Sequence, residues 1–361
     1  MPLTAFRSTQ VGPRTFVLAL GVCAFGLTVA LRANDGAGSS KAAVPAERVA
    51  SQPFLASYTR PTTTPFPDDN AYTPEREALG RALFFDPRLS GSGWISCASC
   101  HNPGLSWGDG LPRAIGHGMK TLGRRTPTIL NLAWGQAFFW DGRADTLEAQ
   151  ALGPIQAAGE MNLDLPTMIA RIGAIDDYQA LFAKAYPGEP VAPETVAKAI
   201  ATFERGVISA EAPFDRWLAG DEAAISPEAK RGFVVFNTKA ACAKCHSGWR
   251  FTDDSFHDIG VVGEDVGRGA LLADIPSVQH AFKTPTLRDA DRRGPYMHDG
   301  SVATLDAVVD FYDRGGLAAR ESLSNDLKPL GLTGDEKRQL LAFMRTLTSP
   351  GRSVPVPALP R

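Results

Sequence analysis

Apolar positions recur at helical spacing in several separate stretches of the chain, and the two-residue alternation typical of strands is scarce. The first stretch begins at Thr73, a capping residue followed by proline and glutamate, and it places Leu79 and Leu83 on one face. Further amphipathic helices are predicted at residues 193–209 and 333–347. The pattern therefore predicts a mainly α fold.

The opening helix has a counterpart in the second half of the chain. Ser226 starts a helix in the same way, and Gly-x-x-Val-Phe at 232–236 echoes Gly-x-x-Leu-Phe at 80–84. This weak internal repeat predicts two units, each with an opening helix, a loop, a long connection and a closing helix. The predicted boundaries are 66–222 for the first domain, 223–351 for the second and 352–361 for a tail.

The N-terminal residues are typical of an export segment. Arg7 and Arg14 precede an uncharged apolar run at residues 16–31. This run is slightly short for a membrane span, which needs about 20 residues. We therefore expect a signal peptide or an N-terminal anchor at residues 1–33, followed by a flexible Ala/Ser/Thr/Gly/Pro-rich linker at 34–65. This predicts a periplasmic protein, with membrane contact only if the segment is uncleaved.

Composition narrows the function classes. The chain has 361 residues, enough for two domains with their own cores, and 44% of them are apolar. Its formal net charge of −2 gives no field that would attract nucleic acid. Four of the five cysteines lie in two tight pairs, and Cys23 lies alone in the apolar N-terminal run. This spacing does not resemble a disulfide framework.

Two copies of Cys-x-x-Cys-His carry the strongest chemical signal. They comprise Cys97, Cys100, His101, Cys242, Cys245 and His246. Thiols at this spacing reach the two vinyl groups of one porphyrin, and the adjacent histidine becomes an axial ligand of the iron. A redox thiol pair or half a zinc site is the alternative, but zinc would need more Cys or His at short spacing. The motifs therefore predict two covalently bound c-type haems.

Several other blocks carry a family resemblance. They read Leu-Phe-Phe-Asp-Pro-Arg-Leu-Ser at 83–90, Phe-Trp-Asp-Gly-Arg-Ala at 139–144, Lys-Thr-Pro-Thr-Leu-Arg at 283–288 and Pro-Tyr-Met-His-Asp-Gly-Ser at 295–301. In order and spacing they resemble the bacterial diheme cytochrome c peroxidase and MauG superfamily, over about residues 66–350. The resemblance implies two cytochrome-c-like domains, each with one covalent haem, and a reaction with hydrogen peroxide.

The resemblance also implies roles around the first haem. Trp140 matches a tryptophan between the two haems, and Gln150 and Glu160 follow it at ten-residue intervals, as the distal glutamine and glutamate of the family do. Pro154 matches a proline of the distal pocket. A carboxylate there can carry a proton from the inner to the outer peroxide oxygen, so Glu160 is the candidate acid–base group and Gln150 orients the oxidant.

The second haem needs an axial ligand besides His246. The family peroxidases have a methionine in a helix after the 295–301 block, whereas MauG-type members have a tyrosine, and here the position holds Tyr312. Met297 and Met344 are the alternative ligands. A phenolate oxygen stabilises oxidised iron, so Tyr312 favours a MauG-like oxidase that uses peroxide to form a high-valent diheme state and oxidises a side chain of a partner protein.

Two positions differ from MauG-type members. Ala240 stands where they have a surface tryptophan that passes oxidising equivalents to the partner, and Trp249 is a candidate substitute. His117 matches a loop histidine that occupies the first iron in resting peroxidases, so it is a further candidate iron ligand. We therefore expect a secreted partner protein that differs from the one on which MauG acts.

Three further residues are assigned by the resemblance. His257 and Arg268 are candidates for binding the haem propionates or for supporting the site. The family often binds Ca²⁺ through an asparagine just before its Thr/Ala-Pro-Thr block, but this chain has Arg125 there, which leaves calcium open.

Three functions remain. The first is the peroxide-dependent oxidase of a partner protein. The second is a cytochrome c peroxidase that reduces hydrogen peroxide to water with electrons from a small cytochrome. The third is a non-catalytic diheme electron carrier or sensor, which the distal acid Glu160 disfavours because a carrier needs no such group.

Overall fold

The computed structural model describes residues 53–351 and 354–361, and this part of the chain is mainly helical, as predicted. The helices are α1 Pro74–Phe85, α2 Cys97–Cys100, α3 Leu147–Gln156, α4 Leu165–Gly173, α5 Asp176–Ala185, α6 Pro193–Arg205, α7 Pro213–Leu218, α8 Pro227–Asn237, α9 Leu305–Asp313 and α10 Gly334–Arg345. One antiparallel pair joins β1 (Phe256–His257) to β2 (Phe282–Lys283), with Phe256 opposite Lys283.

The internal repeat coincides with two helix crossings. A Cβ atom added at Gly80 would lie 1.8 Å from the Ala199 carbonyl oxygen, and one added at Gly232 would lie 1.8 Å from that of Gln339. Helix α1 thus meets α6, and α8 meets α10, at a distance that only glycine allows. In both halves the repeated glycine lets the opening helix pack directly on the closing helix.

Each helix pair carries its own hydrophobic core. The first core gathers α1 and α6 with α4 and α5, and includes the fully buried Phe84 and Tyr178. The second gathers α7, α8 and α10 around the aromatic side chains of Phe214, Phe233 and Phe343. The two cysteine motifs follow the opening helices of these two cores.

The structure differs from the expected linker at its end. Residues Pro53–Tyr58 form a 3-10 helix. The Tyr58 ring is buried, and its centre lies 5.0 Å from the centre of the Phe251 ring. Its hydroxyl donates to Asn237 Oδ1 at 2.9 Å. Burying an aromatic ring in the second core orders residues that composition alone assigns to a flexible segment. The predicted signal or anchor at 1–33, with Cys23, and the linker up to residue 52 lie outside the described residues.

The described part of the tail, residues 354–361, packs on the first core rather than on the second. Arg88 donates to the Pro360 carbonyl oxygen at 2.8 Å, and the Arg361 amide donates to Asp177 Oδ2 at 2.9 Å. Within 53–351 and 354–361, no helix is long and apolar enough to cross a membrane.

Candidate haem site

A cavity of about 860 Å³ is lined by all six residues of the two cysteine motifs. The four cysteines are partly buried and unpaired by disulfides. Burial raises the pKa of the Cys100 thiol to about 11 and that of Cys242 to about 12, so these thiols are neutral. Neutral thiols facing a large, mostly apolar cavity suit thioether formation with a porphyrin better than zinc coordination, which needs thiolates.

The two motif histidines are oriented alike. His101 Nδ1 lies 3.2 Å from the Trp107 carbonyl oxygen, and His246 Nδ1 lies 3.0 Å from that of Phe251. A carbonyl can only accept, so each Nδ1 carries the proton and each Nε2 keeps its lone pair for a metal. Burial also lowers the pKa of both imidazoles, which keeps them neutral. The donor set therefore fits two haem irons.

Helix α3 positions the candidates for the peroxide side. Thr146 caps its N-terminus, and Gln150 and Pro154, four residues apart and hence on one face, both line the cavity. After α3 the chain turns back, with the Met161 amide donating to the Pro154 carbonyl oxygen at 3.1 Å. This turn brings Glu160 to the same cavity.

The environment of Glu160 suits proton transfer. Burial raises the pKa of its carboxyl group, and the nearby Arg143 guanidinium partly offsets this. Burial is the main cause that raises the pKa of both thiols of the first motif, Cys97 and Cys100, and the Glu160 charge adds to it, so the acid lies near that motif. The structure thus brings Gln150, Pro154 and Glu160 to one cavity, with Glu160 near the first cysteine pair.

Trp140 lies where the two halves meet. Its indole Nε1 donates to the Arg125 carbonyl oxygen at 2.8 Å, and its own carbonyl accepts from the Lys283 amide of β2 at 2.8 Å. The indole is buried and lines the cavity. The position of Trp140 between the two haems remains a prediction, which these two hydrogen bonds support.

Tyr312 lies on α9 beside the second motif. Burial raises the pKa of its phenol, and the thiols of Cys242 and Cys245 add to this effect. Within the described residues its hydroxyl makes no hydrogen bond, and the residue lines the cavity. Met297 and Met344 line the same cavity, so the geometry brings all three candidate ligands to it.

His257 faces the cavity, but Arg268 does not line it. His257 Nε2 lies 2.8 Å from Asp253 Oδ2, and this hydrogen bond is the main cause that raises the pKa of the imidazole to about 10. Cys245, Asp253 and His257 are the only cluster of metal-binding type in the described ranges, and thioether formation at Cys245 would remove one of its ligands. Arg268 donates to the Asp141 carbonyl oxygen at 3.1 Å and stacks on Phe256.

His117 also lies off the cavity, although Gly116 lines it. The His117 amide donates to the Glu160 carbonyl oxygen at 2.8 Å, which ties this loop to the turn that carries the candidate acid. Its Nδ1 is buried without a hydrogen-bond partner among the described residues. Its role as an iron ligand remains a prediction.

Sequence reasoning missed Glu204, Arg125 and Arg293 as residues of the cavity wall. Burial raises the pKa of the Glu204 carboxyl group to about 8, and its Oε2 has no hydrogen-bond partner in the part of the chain described. A usable signal exists for Glu204, because it follows Ile200 by four residues on the buried face of α6. The two arginines give no such signal, since the loops that carry them have no periodicity.

The chain is similar to known di-haem proteins. A family model described as di-haem cytochrome c peroxidase matches residues 74–223. The chain is 50% identical over 351 residues to "Methylamine utilization protein MauG" of Methylorubrum extorquens, covering 96% of this chain and 98% of that protein. It is 37% identical to "Cytochrome-c peroxidase IdrP1" of Denitromonas iodatirespirans, covering 79% and 84% respectively.

Among solved structures, a MauG-like protein associated with microbial copper homeostasis is 33% identical, with a TM-score of 0.75 over 81% of this chain and 94% of that one. A helical protein whose two Cys-x-x-Cys-His motifs face one cavity is a di-haem redox protein. The chain belongs to the di-haem cytochrome c peroxidase and MauG family, and it is an oxidoreductase of the peroxidase class.

Proposed function

We propose that this protein uses hydrogen peroxide to oxidise a side chain of a secreted partner protein, and that both of its haems are covalently attached in the periplasm. The observation that carries the proposal is Tyr312, buried beside the second cysteine motif with its hydroxyl unengaged. A phenol in that place would complete the coordination of the second iron together with His246.

The residues beside the first motif would handle the oxidant. Bound haem supplies the iron that binds peroxide and the electrons that cleave its O–O bond. The Glu160 carboxylate would take the proton from the inner peroxide oxygen and return it to the outer one, so that water can leave. Gln150, on the same wall of the cavity, would hold the peroxide by hydrogen bonding.

Tyr312 would determine where the oxidising equivalents go. A phenolate is a hard anionic ligand that favours oxidised iron, whereas a methionine thioether favours reduced iron. With Tyr312 as ligand, the second haem would accept electrons from a small cytochrome poorly. It would instead retain an oxidising equivalent until a partner side chain is oxidised.

The partner belongs, in this proposal, to methylamine utilization. The relative at 50% identity is named for that process and matches nearly the whole chain. This similarity favours a partner like that of MauG, against the expectation drawn from Ala240. Ala240 is buried in the second core and offers no surface route to a partner, so such a route would have to leave from another residue.

The test compares Tyr312→Met and Tyr312→Phe with Tyr296→Phe, a matched tyrosine of the same cavity whose hydroxyl donates to the Ala290 carbonyl oxygen. The parent should lack the near-infrared band of a methionine-ligated iron and should hold two oxidising equivalents after one equivalent of peroxide. Tyr312→Met should gain the band and a higher midpoint potential, and Tyr296→Phe should behave as the parent.

Periplasmic proteins from methylamine-grown cells, incubated with peroxide and the parent protein, should show a mass change that Tyr312→Met does not produce. The second candidate is the scavenging peroxidase, which the 37%-identical cytochrome-c peroxidase favours. A methionine-type spectrum of the parent, with rapid turnover of reduced cytochrome c, would establish that candidate instead.

A further inference from the structure

Five arginines line the haem cavity, and two of them lack a carboxylate partner. Arg124, Arg143 and Arg250 each form an ion pair with an aspartate. Arg125 and Arg293 form none with any described residue, although only 6% of each is exposed. Exposure to water does not explain why Arg125 and Arg293 lack a carboxylate partner, because these two side chains are more deeply buried than the three paired ones.

The two arginines come from opposite halves of the chain, and a hydrogen bond to a backbone carbonyl joins them. An Nη2 of Arg125 donates to the Arg293 carbonyl oxygen. The Arg293 Nη2 donates to the carbonyl oxygens of Thr286 and Arg288, at 2.5 and 2.9 Å. The Nε atoms of both arginines are buried with no hydrogen-bond partner in the described part of the chain. Each group therefore has an unused donor.

The acids nearest to this pair are engaged elsewhere. Asp109 accepts from the Thr126 hydroxyl at 2.7 Å, and Asp289 accepts from the amide and hydroxyl of Ser349. Burial lowers the pKa of Arg293 to about 10, and the Arg125 charge adds to this effect. Arginine guanidinium groups stay protonated at neutral pH. Two buried like charges with unused N–H donors require an anion.

The anions that the haem cavity receives are the haem carboxylates. A c-type haem is joined to the protein through its vinyl-derived edge, which leaves its two propionates as its negatively charged groups. Carboxylates match the planar fork of an arginine guanidinium, and they would neutralise the pair without any further acid from the protein. Lys283 and His257, two partly buried basic residues of the same cavity, already have Asp254 and Asp253 as partners.

We propose that Arg125 and Arg293 form a two-guanidinium site for haem propionates where the two halves of the chain meet. One arginine comes from each half, so the site would bind the cofactor and hold the halves together electrostatically. It rests on the two-haem cofactor of the family and is independent of the role of Tyr312. Its cations would raise the midpoint potential of the haem they contact, because positive charge disfavours oxidised iron.

The experiment uses the haem-loaded protein with Arg125→Met, Arg293→Met, Arg125→Lys and Arg293→Lys. Arg338→Met, on the exposed face of α10, is the remote control. Midpoint potentials are measured by spectroelectrochemistry, and haem content and circular dichroism are measured in parallel. The methionine variants should have a lower potential at one or both haems, and the lysine variants should stay near the parent value because they keep the charge.

Methionine variants with full haem content and parental potentials would overturn the proposal, as would lysine variants whose potentials fall as far as those of the methionine variants. If a methionine variant fails to load haem, resonance Raman spectra of the corresponding lysine variant test whether the arginine binds a propionate. The propionate bending bands should shift when the guanidinium donors are replaced by one ammonium group, and bands identical to those of the parent would contradict propionate binding.

Discussion

The two halves of this protein position their motif histidines in the same way and differ in the side chains that lie near each motif. In each half a histidine follows two cysteines, donates its amide to the first cysteine carbonyl at 2.8 Å, and directs Nδ1 to a backbone carbonyl. Glu160 lies near the first motif and Gln150 lines the same cavity, whereas the phenol of Tyr312 lies near the second motif.

This difference indicates which side chains would give the two haems different chemistry. The helix crossings at Gly80 and Gly232 place both motifs in the same way, so the repeat by itself would yield two equivalent haems. A titratable acid at one haem and an unengaged phenol at the other would make them inequivalent. Three side chains on α3, its following turn and α9 would therefore separate peroxide activation from storage of oxidising equivalents.

The largest expected effect comes from removing one attachment point. Cys100→Ser should reduce covalent attachment at the first motif only, and Cys245→Ser at the second only, because each thiol lies in its own half. Mass spectrometry of the periplasmic protein would count the attached haems, with Ser99→Ala as the matched control. Loss of both haems in either variant would show that the halves do not load independently.

Glu160→Gln should slow the reaction with peroxide by about 10²–10⁴-fold, the usual contribution of an acid–base group, and should leave the spectrum of the second haem unchanged. Stopped-flow spectroscopy measures the rate, and Glu189→Gln, an exposed glutamate, is the control.

The pH dependence of the peroxide reaction provides a second test of Glu160. Burial raises the pKa of Glu160, and the proposed reaction needs the carboxylate. The parent rate should therefore fall as the pH is lowered through a value above the usual range of a glutamate. The Glu160→Gln variant should lose this limb, and a variant that reacts at the parent rate would make Glu160 a structural residue.

Much of this arrangement follows from the sequence, and the remainder depends on long-range packing. The caps at Thr73 and Ser226 fix the starts of α1 and α8, and the cysteine motifs specify their own chemistry, so these elements are readable from local residues. The ten-residue intervals from Trp140 to Glu160 place the acid only through the resemblance, because the turn after α3 is not periodic.

Contacts between distant residues could not be derived from local patterns. Tyr58 lies in a segment of linker-like composition, yet it is held by rings from 156 to 193 residues further along the chain. Arg125 and Arg293 are separated by 168 residues in sequence, and only folding brings them together. Burial of a charged or aromatic side chain by a remote partner carries no signal in a single sequence.

A moderate effect is expected from Glu204, whose carboxyl group has a pKa of about 8 in the folded protein against an ordinary value of 4.5. A pKa raised by folding stabilises the protein at low pH, and this stability is lost as the pH rises through the folded value. The free energy of unfolding should therefore decrease between about pH 5 and pH 9, by up to about 1.4 kcal/mol for each unit of pKa difference.

Glu204→Gln should remove most of this pH dependence, because the amide stays neutral. Urea denaturation of the haem-loaded protein at both pH values measures the effect, with Glu189→Gln again as the exposed control. An unchanged pH dependence in Glu204→Gln would assign it to other groups.

The smallest effect is expected at His117, and it bears directly on how the first half differs from a resting peroxidase. The side chain lies off the cavity, and its loop is held by amide hydrogen bonds from His117 to the Gly159 and Glu160 carbonyl oxygens, at 3.1 and 2.8 Å. A Cβ atom added at Gly116 would lie 2.0 Å from the Gly159 carbonyl oxygen, so the loop packs closely on that turn. These contacts hold the backbone of the loop that carries His117 in place. His117→Ala should therefore leave the resting spectrum of the first haem unchanged and alter the peroxide rate by less than about threefold, a change below 1 kcal/mol.

A shift of that haem to a five-coordinate spectrum on substitution would instead show that His117 is its resting ligand, and the first half would then resemble a peroxidase that must be activated.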